Sequence, residues 1–235
     1  PVRSAFYPPR RLQPASDKTL IAPGETVQFT DLSSEVTESW SWSFPGGQPA
    51  SSTEQHPKVT YPEEGTYEVT LTAKNSVGED MVRKKLITVT REAENGVGNL
   101  ALGKKTSASS FVNEKEAPPF AVDGNAASKW CAVGDGPHWL TVDLGAEHKI
   151  SEFVIKHAEA GGEPAAFNTR AFSIQVSLDG KEWKDAVSVK DNTKAVSSHA
   201  IELTSAQYVR LQIEKATQGG DTAARIYDFE VLGLK

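Results

Sequence analysis

At 235 residues the chain is longer than one average domain, and a usual domain size of roughly 100 to 200 residues predicts two. With 38% hydrophobic and 24% charged residues, either half can bury an ordinary core, and no apolar run is long enough to span a bilayer as a helix. The formal net charge of -6 argues against nucleic acid as a partner, because affinity for a phosphate backbone comes from Lys and Arg neutralising phosphates.

Cys131 is the single cysteine, which excludes an intrachain disulfide and leaves core burial, with a bound metal as a further source, to stabilise the fold. The chain starts at Pro1 without a start Met or an apolar leader. It therefore reads as the C-terminal piece of a larger protein, any signal peptide lying upstream or already removed.

Residues 1–15, which include Pro8-Pro9-Arg10-Arg11, are expected to lead from a preceding domain into the first strand, with both arginines solvated. From residue 24 to residue 90, the short alternating stretches VQF, WSWSF, YEVTLTA and LITVT are separated by the turn sequences PGG, PEEG and NSVG. Period-2 alternation of aromatic and β-branched residues with such punctuation predicts an antiparallel β-sandwich. Parity places Trp40, Trp42 and Phe44 on one strand face, where packing in the core is the favoured reading over a sugar-stacking platform. Residues 91–98, REAENGVG, are polar and contain glycine, as a short interdomain linker should be.

The second half is again all β. In WLTVDLG, Leu140, Val142 and Leu144 alternate with Thr141 and Asp143; in FSIQVS, Phe172, Ile174 and Val176 alternate with Ser173, Gln175 and Ser177. Each strand thus has one dry and one wet face. Asp179-Gly180 predicts a tight turn leading to Trp183, and YVRLQI and IYDFEVLG are predicted to form a final hairpin around the loop 215–224.

These pieces carry two resemblances. FTDLSS, ESWSWSF, HPKVTYPEEGTYEVTLTAKNSVGED and ITVT resemble a PKD domain, the immunoglobulin-like repeat common in bacterial secreted polysaccharide hydrolases, over residues 16–90. Where many members carry a Gly-Asp-Gly turn, this chain has Pro45-Gly46-Gly47, which still supplies a turn. Further on, NLALGK, a Ser-rich strand, AVDGN followed by SKW, WLTVDLG, FSIQVSLDGKEW, YVRLQI and ARIYDFEVLG occur in order. This series resembles a coagulation-factor 5/8 type C (discoidin) domain over residues 99–235, a family that includes the family 32 carbohydrate-binding modules. The fold implied is all-β: an immunoglobulin-like β-sandwich followed by an eight-stranded discoidin jelly roll.

Asp123, Asn125 and Ser128 lie in AVDGNAASKW. Calcium takes about six to eight oxygen ligands, and turns rich in Asp, Asn and Ser present side-chain and carbonyl oxygens together; a DGN sequence is also an ordinary turn whose Asp caps its own backbone. The discoidin resemblance implies a structural calcium held by this loop and by an acidic residue before the last strand. The implied ligands are the carbonyl of Phe120, the carboxylate of Asp123, the carbonyl of Asn125, the oxygens of Ser128, the carbonyl of Tyr227 and the carboxylate of Asp228. Asp228 stands where the family usually has Glu, and Ser128 where it usually has Thr. Such an ion would tie an early loop to the last strand.

If residues 150–157 and 172–177 run antiparallel, His157, Asn168 and Arg170 fall at one end of the sheet on inward positions, and are expected to converge past the core at the sandwich rim. A guanidinium fork, an amide and an imidazole together can fix a pattern of sugar hydroxyls. The resemblance implies such a His, Asn and Arg plus an aromatic platform. Because the loop TQGGDTAAR has no ring, Phe167, Trp130 and Phe111 are the candidates for the platform, Phe167 being the one carried into the site and Trp130 expected to pack under the DGN loop. The competing reading has His157 capping the sheet end and Arg170 pairing with Glu159 or Glu163.

Glycoside hydrolysis needs only two placed carboxyl groups, but the 31 acidic residues come without HExxH, GxSxG or a phosphate-cradling Gly loop. The loops AEAGGEPAA and AVGDGP carry no apolar tip with basic flanks, which disfavours membrane insertion. The sequence therefore predicts a non-catalytic carbohydrate-binding region of an exported bacterial protein. It would keep a glycoside hydrolase, joined upstream in the same polypeptide, near its glycan, with the PKD-like half as spacer. The alternative is a structural or protein-adhesion module.

Overall fold

The structure, a computed structural model, describes residues 14–32, 37–75 and 78–235. Its strands group into two compact units, Pro1–Gly96 and Val97–Lys235. Among the described residues no helix is long and apolar enough to cross a membrane.

The first unit contains β1 (Pro14–Ser16), β2 (Leu20–Ile21), β3 (Thr26–Asp31), β4 (Ser39–Ser43), β5 (Ser51–Ser52), β6 (Lys58–Thr60), β7 (Gly65–Asn75) and β8 (Gly78–Val89). One sheet has the order β1-β3-β6 and the other β2-β8-β7-β4-β5. Val27 and Phe29 from the first meet Trp42, Leu71 and Ile87 from the second in one buried cluster. The parity reading of the aromatic strand holds: Trp42 and Phe44 are fully buried and Trp40 packs against the cluster half-buried. Trp42 satisfies its indole N–H on the Glu54 carbonyl at 2.9 Å, as a buried indole must. Residues 8–11 and the Ser76-Val77 part of the NSVG turn lie outside the described residues.

The Pro45-Gly46-Gly47 turn has a local cause. Gly46 sits at φ 74°, and a Cβ there would come within 2.1 Å of the Tyr67 ring. Both the backbone conformation and the close approach call for glycine.

The expected linker 91–98 is largely structured. Arg91–Asn95 forms a 3-10 turn whose N-cap, Thr90, accepts from the Glu92 N–H through its side chain, and Val97–Asn99 is already a strand (β9) of the second unit.

The second unit continues with β10 (Lys105–Ala108), β11 (Trp130–Cys131), β12 (His138–His157), β13 (Ala171–Ser177), β14 (Lys184–Val189), β15 (Val196–Lys215) and β16 (Arg225–Leu234). Strands β12 and β15 are 20 residues each, and both serve two layers. Residues 138–143 of β12 pair with β10 on one side and with residues 208–213 of β15 on the other; β13 and then β14 extend this layer. Residues 150–157 of β12 pair with β16 and with the first half of β15, and β9 and β11 add to β16. The register of β12 breaks between Asp143 and His148, where the strand turns from one layer to the other. The core between the layers is led by Trp130, Phe153, Phe172 and Phe229, all at 0–1% exposure.

The predicted final hairpin does not form. β12 lies between β15 and β16 in the sheet order, so the loop after Lys215 crosses over a strand. Both segments alternate in and out as hairpin strands do, and alternation does not report partners.

Replacing Gly46 with Ala should destabilise the first unit by about 2 kcal/mol, from forced left-handed backbone together with displacement of Tyr67. Urea unfolding of the Gly46→Ala chain would then show a lower midpoint for this unit, whereas an unchanged midpoint would mean that the turn relaxes freely.

Candidate functional site

The structure brings His157, Asn168 and Arg170 to one end of the second sandwich but gives them different environments. The second half of β12 and β13 belong to opposite layers, so His157 faces Phe172 across the core, with ring centroids 5.7 Å apart. His157 is fully buried and its Nε2 pairs with Ser197 Oγ at 2.9 Å. Its inward parity is as read, but the strand ends inside the core and not beyond it, so the imidazole does not reach the rim. Asn168 is also fully buried. Its Oδ1 accepts from the Glu159 N–H at 2.9 Å, and its Nδ2 donates to Glu159 Oε2 at 2.9 Å and to the Thr193 carbonyl at 3.3 Å. Those bonds use both N–H donors and one of the two lone pairs of Oδ1, and burial keeps the rest of the amide from solvent.

Phe167 is not a free platform, since the Arg225 guanidinium lies 4.3 Å from its ring centroid. Trp130 is buried, with its indole N–H on the Ser110 carbonyl at 2.9 Å. Of the three expected polar residues, Arg170 is the one that faces solvent; Phe111 is also exposed, at 41%, but does not line the cavity beside Arg170. Arg170 Nε and Nη2 both donate to Asp191 Oδ1, at 3.0 and 2.9 Å, so its partner is neither Glu159 nor Glu163.

Arg170 opens onto a cavity of about 290 Å³ at this end of the sandwich, where Asp135, His138, Glu214, Lys215 and Asp221 also line the wall. Two side-chain amides brace the loop segments that carry its lining. Gln218 Nε2 donates to the carbonyls of Asn168 and Asn192 at 2.8 and 2.9 Å, while Asn192 Nδ2 donates to the Thr169 carbonyl at 2.8 Å. His138 is held by Nε2 on the Thr222 carbonyl at 2.8 Å. Gly219 and Gly220 form the rim, and an added Cβ at either meets nothing within 4 Å.

A charged network backs the wall. Glu163 receives Lys129 Nζ at 2.6 Å, Tyr227 Oη at 2.9 Å and Arg225 Nε at 3.2 Å. Arg225 Nη2 reaches Asp221 Oδ2 at 2.9 Å, and this bond together with the Ala223 N–H lowers the Asp221 pKa. Asp221 is therefore a carboxylate at neutral pH. The cavity thus offers a guanidinium, an ammonium, three carboxylates and the His138 imidazole, but no Phe, Tyr or Trp ring lines it. The sequence signal for the acidic wall was the Gly-Gly loop after β15, noted above only for lacking a ring.

The DGN loop closes on itself as an Asx turn: Asp123 Oδ1 accepts from the Asn125 N–H at 2.9 Å and Oδ2 from Ser128 Oγ at 2.7 Å. Ser128 Oγ also approaches the Asn125 carbonyl at 3.0 Å. At the other end of the expected ligand set the β12–β16 register shifts, with Lys156 opposite Asp228 but His157 opposite Ile226, so Tyr227 is the extra residue of a bulge. The 3-10 turn Pro118–Ala121, which contains Phe120, packs against β16.

Asp228 is 2% exposed. Its Oδ2 accepts from Lys156 Nζ at 2.8 Å, its Oδ1 is buried without a hydrogen-bond partner, and burial pushes its pKa up. Among the described residues no cluster of three His, Cys, Asp or Glu side chains is poised for a metal, so a site here must draw on carbonyls. An orphaned buried carboxylate oxygen fits a hard cation, which takes oxygen donors of this kind.

A sandwich of two layers joined by strands that serve both is a jelly-roll module. The F5/8 type C domain family model matches residues 105–227, more than half of the chain, and the chain belongs to that family. The PKD domain model matches residues 11–88. Among solved structures, the family 32 carbohydrate-binding module of Streptococcus pneumoniae EndoD has a TM-score of 0.52 at 24% identity, covering 57% of this chain and 97% of that one. A mutant of chitosan-binding module 1 from the chitosanase/glucanase of Paenibacillus sp. IK-5 gives 0.51 at 24% identity, covering 59% and 100%. Both likenesses establish the fold. The polysaccharide lyase 8 family protein HylA of Enterococcus faecalis is 25% identical over 147 residues, 60% of this chain and 10% of that protein. The chain therefore spans about a tenth of the length of this curated relative.

Burial, helped by the nearby His199, lowers the His157 pKa to about 3. Unfolded, the ring takes up its proton near pH 6.5, so stability is full above that pH and is lost as pH falls towards 3, by at most about 1.4 kcal/mol per pH unit. Urea unfolding at pH 7 and pH 5 should therefore give a pH-dependent loss about 2 kcal/mol smaller in His157→Gln than in the unsubstituted chain. Equal losses would mean that the ring is already protonated in the folded state.

Proposed function

We propose that the second unit is a non-catalytic carbohydrate-binding module whose ligand enters the loop cavity beside Arg170. The observation that carries this reading is the cavity itself. It is of about monosaccharide size, open to solvent, and lined by fixed donors and acceptors on braced loop segments. Sugar hydroxyls donate and accept at once, so a guanidinium with carboxylates around it can read their arrangement. Relatives of the same fold are a family 32 carbohydrate-binding module and a chitosan-binding module by name, and a curated relative is a polysaccharide lyase family protein. These support a role for the chain as the glycan-targeting part of an exported, polysaccharide-degrading bacterial protein, with the PKD unit as spacer.

A glycan-array screen of the full chain tests this, with Arg170→Ala and Glu214→Ala alongside. Arg170 and Glu214 are on the surface and the Arg170–Asp191 pair is exposed, so melting temperatures should hold, because such pairs are worth little. Binding to a defined terminal sugar should weaken about tenfold or more in Arg170→Ala, equivalent to about 1.4 kcal/mol. A folded chain that binds no glycan would instead fit a structural or protein-docking tail.

We further infer that the DGN loop and Asp228 hold a structural calcium, with Phe120, Asn125, Ser128 and Tyr227 completing the oxygen set. The orphaned Asp228 Oδ1 supports this, and Lys156 is the cation that shares the carboxylate. At calcium about 100-fold above its Kd the ion would contribute about 2.7 kcal/mol. Chelation should therefore lower the melting temperature by several degrees, and Asp123→Ala should abolish that response. A melting temperature unmoved by chelator would remove calcium from the fold.

A further inference from the structure

Away from the loop cavity, the solvent face of the layer built by β10, β12, β15 and β13 carries a second, larger concavity of about 490 Å³. Parity builds it. Leu140 and Val142 are buried while Trp139, Thr141 and Asp143 alternate outward; Val209 and Leu211 are buried while Tyr208 and Arg210 alternate outward. Cross-strand pairing sets Thr141 opposite Arg210 and Lys105 opposite Asp143. Trp183, just before β14, and Lys181 close the far side.

An indole on the wet face of a sheet, with a second from the adjoining turn beside it, is unusual, because large aromatics ordinarily belong inside. Here they flank a cation: Arg210 Cζ lies 3.9 Å from the Trp183 ring centroid and 5.4 Å from that of Trp139. Such stacking fixes a guanidinium and partly dehydrates it. Arg210 Nε donates to Thr141 Oγ1 at 3.1 Å, and among the described residues the side chain has no ion pair with a carboxylate. The groove's own acids are engaged elsewhere. Asp143 accepts from the Gly145 N–H at 2.9 Å and Gln207 Nε2 at 3.2 Å, and Asp179 accepts from the N–H groups of Lys181 and Glu182 at 2.8 and 3.0 Å. Lys105 and Lys181 stand exposed at its edges.

We propose that this groove is a second glycan site, separate from the loop cavity, that takes a polysaccharide segment bearing ring carboxylates, a uronate. The phenol of Tyr208 and the indole edges supply apolar surface for pyranose C–H faces. Arg210, without a carboxylate of its own, supplies a planar donor pair matched to a carboxylate, and the two lysines add attraction at the rim. No residue lining the groove lines the loop cavity, so neither site depends on the other.

Affinity electrophoresis of the full chain through gels containing polygalacturonate, or the same polymer methyl-esterified, tests the proposal. The unsubstituted chain should be retarded by the acid form and at least tenfold less by the ester, and retardation should fall with added salt. Trp183→Ala and Arg210→Gln should weaken binding about tenfold or more. Lys181→Ala, at a fully surface position that cannot unfold the sheet, should weaken it about threefold, while Arg170→Ala should bind as the unsubstituted chain does. Absence of retardation in a chain with an unchanged melting temperature would overturn the proposal. So would equal binding of acid and ester, normal binding by Lys181→Ala and Trp183→Ala, or loss of binding in Arg170→Ala, which would move the ligand to the loop cavity.

Discussion

The architecture of the second unit depends on two strands that each belong to both of its layers. Because β12 and β15 run 20 residues and change layer part-way, each presents its dry face to the same core from two sides. Leu140 and Val142 do so from one layer, and Phe153 and Ile155 from the other. The break in register after Asp143 is what lets one sequence meet both demands. It also sets which residues look outward, so the wet face of the first layer and the loop end are products of the same bend.

At the loop end, burial has been spent on bracing. Asn168, Asn192 and Gln218 tie three loops through carbonyls and a carboxylate, and Glu163 gathers Lys129, Tyr227 and Arg225. A polar side chain this deep must be satisfied internally, which removes it from ligand duty. Of the charges that line the cavity, Asp221 stays tied to Arg225 and Arg170 to Asp191.

The fold was legible in the sequence because alternation and turn chemistry are local signals. The buried Trp42 and Phe44, the two faces of Leu140 to Leu144, and the turn at Asp179 follow from spacing alone. Partner choice was not legible. β15 and β16 read as a hairpin, yet β12 separates them, since sequence neighbours need not be sheet neighbours. Parity also fixed which way His157 and Asn168 point but not whether their positions lie inside or beyond the core, and both are inside. The outward role of Trp139 was missed for a different reason. An aromatic on the wet register of a strand looks, in one sequence, like an ordinary break in alternation, and only the stacked Arg210 distinguishes it.

The paired glycines at 219 and 220 are the least constrained part of the cavity's edge. Neither has a positive φ, and a side chain begun at either would project into empty space, with the braced loop segments untouched below. Recognition can therefore be rewritten at this edge without renegotiating the fold: an indole or phenol placed there would give the cavity the flat apolar wall it lacks. The rim is thus a place where the chemistry of the cavity can change while the sandwich beneath stays fixed.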